Sequence, residues 1–146
     1  MTRVPKPGQL LARGVCRHLR QYDFACIPEF APAPGLRVDV MALGPRGEVW
    51  VVECKSSRAD FRSDGKWHGY RQWCDRFFWA VGREFPVEIL PGDCGLILAD
   101  SYGGEILRFG AEFRLAAPRR RSVMLKFARK AASRLQGLCD RAPCAP

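Results

Sequence analysis

Histidine is nearly absent from this chain, which holds only His18 and His68 in 146 residues. Neither stands at zinc-finger spacing from a cysteine pair, and none of the seven cysteines forms Cys-x-x-Cys. Ligand spacing therefore weighs against a zinc module or a zinc enzyme. The odd cysteine count and the mostly apolar neighbours predict reduced, mostly buried thiols, with Cys139 and Cys144 exposed in a polar tail. Long apolar runs are missing as well. No stretch is long enough to cross a bilayer, and residues 1–8 lack the apolar centre of a signal peptide. No membrane contact and a cytoplasmic, nucleoid-associated location are the expectations. Acidic residues are scarce in one place: from Pro118 onward eight basic residues face the single acid Asp140. That segment carries +7 of the net +9, leaving +2 for the first 117 residues. Charge so concentrated points to one phosphate-binding element, with Arg119, Arg120 and Arg121 at its head. The alternative is a solvated helix face in a chain biased toward arginine, with 19 arginines to 5 lysines.

What the chain has is enough apolar material, 47% of residues, for one domain with one core. Two β-patterned runs stand out, Leu36–Leu43 and Glu48–Lys55, joined by Gly44-Pro45-Arg46-Gly47. A three-residue loop with Gly47 left-handed closes such a hairpin. This register pairs Gly44 with Glu48 and sets Asp39 opposite Glu53, whereas a slip of one residue would send Asp39 to the other face. Glu53 and Lys55, two apart, share a face of the strand, and Cys54 takes the opposite one. Two carboxylates and an ammonium thus converge among valines, where unpaired charge is costly and a metal is a natural partner. The set suits phosphodiester hydrolysis: Asp39 and Glu53 to hold Mg²⁺ or Mn²⁺, Lys55 to steady the phosphate charge. The plainer alternative is a solvated ion pair of little consequence.

Four strings carry a resemblance. Residues 37–45, 48–61, 73–81 and 95–100 resemble the MmcB family, bacterial DNA-repair proteins described as endonucleases. The Asp–hairpin–Glu-x-Lys order is similar to the wider PD-(D/E)xK nuclease superfamily. The likeness implies a restriction-endonuclease-like core, with Asp39 and Glu53 as metal ligands and Lys55 as the catalytic lysine. Val38 stands where many superfamily members have proline. The first helix lacks the carboxylate that some use as a further ligand, and Glu29 is the candidate substitute.

Along the rest of the chain, Gln9–Gln21 reads as a helix with Arg13, Arg17 and Arg20 as a basic edge and His18 at its boundary. Residues 24–30 read as an edge strand broken by Pro28, with a turn over 31–35. Residues 56–64 read as a polar loop whose Ser56, Arg58 and Arg62 meet backbone phosphate, with Asp64 capping the next helix. Lys66–Asp75 is a short aromatic helix, where Lys66 and Tyr70 either approach the site or pack on the sheet. Two apolar strands follow at 76–81 and 94–100, separated by an irregular excursion, and then a last strand at 105–109. A basic helix at 119–138 is expected to dock through Val123, Phe127 and Leu135. The expectation is an α/β fold: residues 1–139 as one nuclease-like domain, a central mixed sheet flanked by helices, and a disordered tail at 140–146. Two functions fit, a Mg²⁺-dependent DNA endonuclease of repair, which could work as a homodimer, or a silent nuclease-fold adaptor that binds DNA and other repair proteins.

Overall fold

The computed structural model describes residues 3–141, and a hairpin organises it. Gly47 adopts φ +89°, the left-handed conformation that costs glycine little, and Gly44 N–H bonds the Glu48 carbonyl at 2.8 Å. Strands β2 (Leu36–Leu43) and β3 (Val49–Lys55) therefore pair in the expected register, from Leu43 opposite Val49 to Val40 opposite Val52. The sheet grows outward from this pair. Strand β1 (Ala25–Ala33) lies antiparallel on β2 as an edge, where Pro28 lacks an N–H without cost to a central ladder. On the other side β4 (Arg76–Val81) and β5 (Gly95–Ala99) run parallel to β3, and β6 (Gly104–Arg108) closes antiparallel. The result is a six-stranded mixed sheet flanked by helices, as expected.

Helix α1 (Pro7–Arg20) starts with proline in its first turn, and the Gln9 side chain turns back to accept Lys6 N–H. It packs Leu11, Val15 and Leu19 against Val40, Val52, Phe78 and Ile97 on one face of the sheet. Gly14 lets it sit directly on the β5–β6 turn, since a Cβ there would lie 1.8 Å from the Asp100 carbonyl oxygen. His18 is buried rather than at the surface, and its Nε2 accepts Ile106 N–H, tying α1 to β6. Asp100 forms the expected turn by accepting the amides of Tyr102 and Gly103.

The opposite face is covered by α3 (Trp67–Tyr70), a following 3-10 turn (Arg71–Trp73) and α4 (Ala117–Arg141). Five expectations are corrected. The 56–64 segment is not all loop: Ser57 accepts Asp60 N–H and nucleates a short α2 (Arg58–Arg62). The 66–75 helix holds only one α-turn, because Cys74 must already be extended to enter β4. The first turn comes later, at Pro34-Gly35, because β1 runs on to Ala33 through an irregular pairing after Phe30. Leu135 is 62% exposed, while Val123 and Phe127 dock as expected. A helix of 25 residues, about 37 Å long, outruns the apolar face beneath it. It also includes Asp140 and Arg141, which were expected in a disordered tail, and the rest of that expected tail, 142–146, lies outside the described residues. The six described cysteines are all free, with Cys54, Cys74 and Cys94 buried and Cys139 exposed.

One buried charge anchors α4. Asp75, at the mouth of β4, accepts the amides of Val49 and Leu115 and both terminal nitrogens of Arg120 at 2.7 Å. Arg120 also reaches the Gly47 carbonyl, so one side chain joins helix, hairpin and β4. Burial alone would raise the Asp75 carboxyl, but Arg120 and the two amides outweigh it and hold it below the usual range. A depressed carboxyl contributes stability above its unfolded value and loses it as pH falls through the folded one. Arg120→Ala should therefore cost about 3 kcal/mol in chemical denaturation at pH 7, since Asp75 would be left buried without its cation. The deficit should shrink below about pH 4, where Asp75 protonates in the unfolded chain.

Candidate functional site

The backbone ladder between β2 and β3 stops at Val40–Val52, and two carboxylates take its place. Asp39 N–H donates to Glu53 Oε1 at 2.8 Å, and Cys54 N–H donates to Asp39 Oδ2 at 2.8 Å. Each side chain thus spends one oxygen on the opposite strand. The second oxygen of each has no hydrogen-bond partner among the described residues. The pair lies near the carboxyl end of β3, the end of a parallel strand where α/β sheets generally place their ligands.

Lys55 continues the face of Glu53 but pairs elsewhere. Its Nζ is 2.8 Å from Asp64 and 3.7 Å from Asp60, and neither Asp39 nor Glu53 lies within ion-pair distance. Burial would depress the ammonium, yet Asp64 and Asp60 overrule it and keep the group charged beyond the ordinary lysine value. Both acids also brace the chain: Asp60 accepts Ser56 N–H, and Asp64 accepts Lys66 N–H. Asp64 therefore does more than cap, and sequence reasoning missed it as the partner of Lys55. The only available signal was two acids four residues apart just past the lysine.

Four carboxylates surround one ammonium here, an acidic centre in a basic protein. Glu53 is 4% exposed, and burial, then the neighbouring Asp39, push its carboxyl up to about 9. Asp39 is raised too, chiefly by burial, against the pull of the Cys54 amide. Tyr70 is buried beside them and is pushed up to about 12 by burial and by the charge of Glu53. At neutral pH the centre holds a proton in the place a cation would take.

The donor set can be compared with a metal's needs. No three His, Cys, Asp or Glu side chains among the described residues come together tightly enough to hold a metal ion. Glu29 therefore does not complete a three-carboxylate set, although it lies between Pro28 and Phe30, which pair with Val40 and Val38 on either side of Asp39. Two hard oxygen donors fit Mg²⁺, which binds through one or two carboxylates and keeps much of its hydration. They do not fit a closed structural zinc site.

The expected nucleic-acid contacts divide. Ser56, Arg58, Arg62 and Lys66 are exposed around the Lys55 end of β3, whereas Tyr70 faces inward. Arg120 is committed to Asp75, and Arg119 stacks over Trp73 at 4.3 Å and donates to the Gln72 carbonyl. Arg121 is exposed. All three sit by the hairpin turn, five residues of strand from Asp39, about 16 Å. The fold does not bring them to the carboxylates. Further along α4, Lys126 and Arg134 donate to the carbonyls of β1, Arg134 gripping Pro28 and Glu29 where Glu29 takes φ +49°.

A raised carboxyl contributes stability that is fully present below its unfolded value and is lost as pH rises toward the folded one. Glu53→Gln should therefore melt higher than the parent chain, with the gap widening from about pH 5 to pH 9 at up to about 1.4 kcal/mol per pH unit. Thermal unfolding across that range checks it, and a gap that does not vary with pH would place the Glu53 proton elsewhere.

No curated protein matches the chain. A solved structure of a protein of unknown function from Silicibacter pomeroyi is 58% identical, covers 97% of both chains and superposes with a TM-score of 0.92. The family model described as DNA repair protein MmcB-like matches residues 2–142. With nearly its whole length matched, the chain belongs to the MmcB-like DNA repair protein family.

Proposed function

We propose that this protein is a Mg²⁺-dependent DNA endonuclease of repair, built on a PD-(D/E)xK core with Asp39, Glu53 and Lys55 at its centre. One observation carries the reading. Two buried carboxylates are held together by opposite strands, each with an uncommitted oxygen, and no cation lies within ion-pair distance of them among the described residues. Bringing like charges together in an apolar setting costs stability, and a divalent ion would offset it.

Asp39 and Glu53 would hold the ion through their free oxygens, and Lys55 would face the phosphate. Bound Mg²⁺ would supply Lewis acidity, lowering the pKa of a water and offsetting phosphate charge. Lys55, kept protonated by Asp64 and Asp60, serves as a fixed positive charge rather than a base. Family membership supports DNA as the partner. Exposed Ser56, Arg58, Arg62 and Lys66 surround the carboxyl end of β3 and suit contacts to phosphate, which position a duplex without reading it. Arg121 extends a basic surface at the far end of the sheet.

A second reading, a silent adaptor, draws on a different observation: Lys55 is already occupied by two acids. Cleavage decides between them. Supercoiled DNA with Mg²⁺ should be nicked, with EDTA it should not, and Lys55→Ala should lose at least about a hundredfold of the rate. Asp39→Ala should abolish nicking while duplex binding stays intact or tightens, as expected when a carboxylate near phosphate is removed. DNA binding with no cleavage of supercoiled, single-stranded or branched DNA would leave the adaptor.

Mg²⁺ should also raise the melting temperature, more at pH 8 than at pH 6, because the ion competes with the Glu53 proton. Glu53→Gln should lose that shift. An equal shift in both proteins would place the ion elsewhere.

A further inference from the structure

Asp39 lies in the wall of a half-open cavity of about 530 Å³ between α1 and β1. This is the α1 side of the sheet, away from the α2 segment that holds the Lys55 partners. Ala12, Cys16, Cys26 and Pro28 give it apolar walls, and Gln9 and Glu29, joined side chain to side chain at 3.3 Å, stand at its edge. Its size falls within the range of small-molecule sites and suits a single nucleotide.

The charges at the cavity differ from those of α4. Arg13 and Arg17 line it, are exposed, and make no ion pair or side-chain hydrogen bond among the described residues. The arginines of α4 that touch the core, Arg119, Arg120 and Arg134, are all spent on carbonyls or on Asp75. Four residues apart on one helix, Arg13 and Arg17 have Cβ atoms about 6 Å from each other, close to the spacing of successive phosphates along an extended strand. An apolar-walled cavity, two free arginines rooted about one phosphate spacing apart and a carboxylate of the candidate site therefore share one surface.

We propose that this cavity receives one unpaired nucleotide of the DNA, with Arg13 and Arg17 on its flanking phosphates. The favoured substrate is then single-stranded or flapped DNA rather than continuous duplex, because a paired base cannot enter a concave pocket without leaving its stack. The proposal rests on the nuclease reading for the role of Asp39 and deepens it to a substrate class. Walls of alanine, cysteine and proline accept any base face, so the pocket selects unpaired DNA with little sequence preference.

The cavity carries its own reporter in Cys16, which lines it and whose thiol pKa is lowered by its hydrogen bond with Cys26, while Cys139 lies exposed on α4. The test is done in EDTA, where binding is read without hydrolysis. The full chain is treated with N-ethylmaleimide alone, with a single-stranded oligonucleotide, and with the same sequence as a duplex, and each cysteine is followed by mass spectrometry. Single-stranded DNA should slow alkylation of Cys16 at least about fivefold and leave Cys139 unchanged, while duplex should not protect Cys16. Arg13→Glu with Arg17→Glu should weaken single-strand binding and lower its salt dependence by about 1.4 in log–log slope, two phosphates at about 0.7 each. Arg114→Glu, an exposed reversal outside the cavity, should leave that slope unchanged, and circular dichroism confirms that each variant is folded.

Equal protection by duplex, no protection by either form, or an unchanged slope in the double reversal would overturn the assignment. Protection by single strands from a protein that cuts nothing in Mg²⁺ would sink the nuclease reading and leave the cavity assignment standing.

Discussion

Gly47 adopts a left-handed backbone, and with it the loop between β2 and β3 closes after three residues. From that closure the ladder runs as far as Val40 opposite Val52, and beyond it Asp39 and Glu53 bridge the strands through their carboxylates instead of a backbone pair. Side chains alternate along a strand, and a slip of one would exchange every inward group for an outward one. The valines that fill both cores and the carboxylates that break the ladder are thus set by the same constraint. Arg120 reinforces it from outside, since it holds the Gly47 carbonyl and the buried Asp75 together.

Where local chemistry dictates geometry, the chain could be read directly. The Pro-Arg-Gly loop specifies a register, the continuous apolar run at 76–81 specifies a strand covered on both sides, and Pro28 specifies an edge. The register brought Asp39 and Glu53 to neighbouring positions, but the carboxylate-to-backbone bonds that join them where the ladder stops were not legible in it. What could not be read was decided by partners distant in the chain. Asp64 looks like a cap from its neighbours, and only the fold shows that Lys55 lies 2.8 Å away. His18 looks like a helix-boundary residue until β6 arrives with an unpaired amide 88 residues later. The cavity beside Asp39 is likewise a product of assembly, because its two walls come from different elements.

The C-terminal helix is the clearest case of composition misreading location. Its concentrated positive charge points to a polyanion, yet Arg119, Arg120, Lys126 and Arg134 turn inward to carbonyls, an aromatic ring and a buried acid. A guanidinium offers five donors in a rigid fork, which suits gathering backbone carbonyls that no ladder satisfies. The charge count was correct, but the fold spends much of it on docking. The free arginines that share a cavity with Asp39 belong instead to α1, whose share of the charge is modest.

Seen along its length, α4 is a splint fastened at two points. Arg120 fixes one end to the hairpin turn, and Arg134 fixes the other to Pro28 and to the left-handed Glu29, whose neighbours pair on either side of Asp39. The two fastenings tie the helix to the strand beside the carboxylate pair. Any ligand whose binding to Asp39 changes with the position of α4 would change the energy of the helix by the same amount. Reciprocity of that kind is a thermodynamic requirement and needs no separate device. Leu135 and Leu138, exposed just past Arg134, thus stand at the end of the splint nearer the carboxylates.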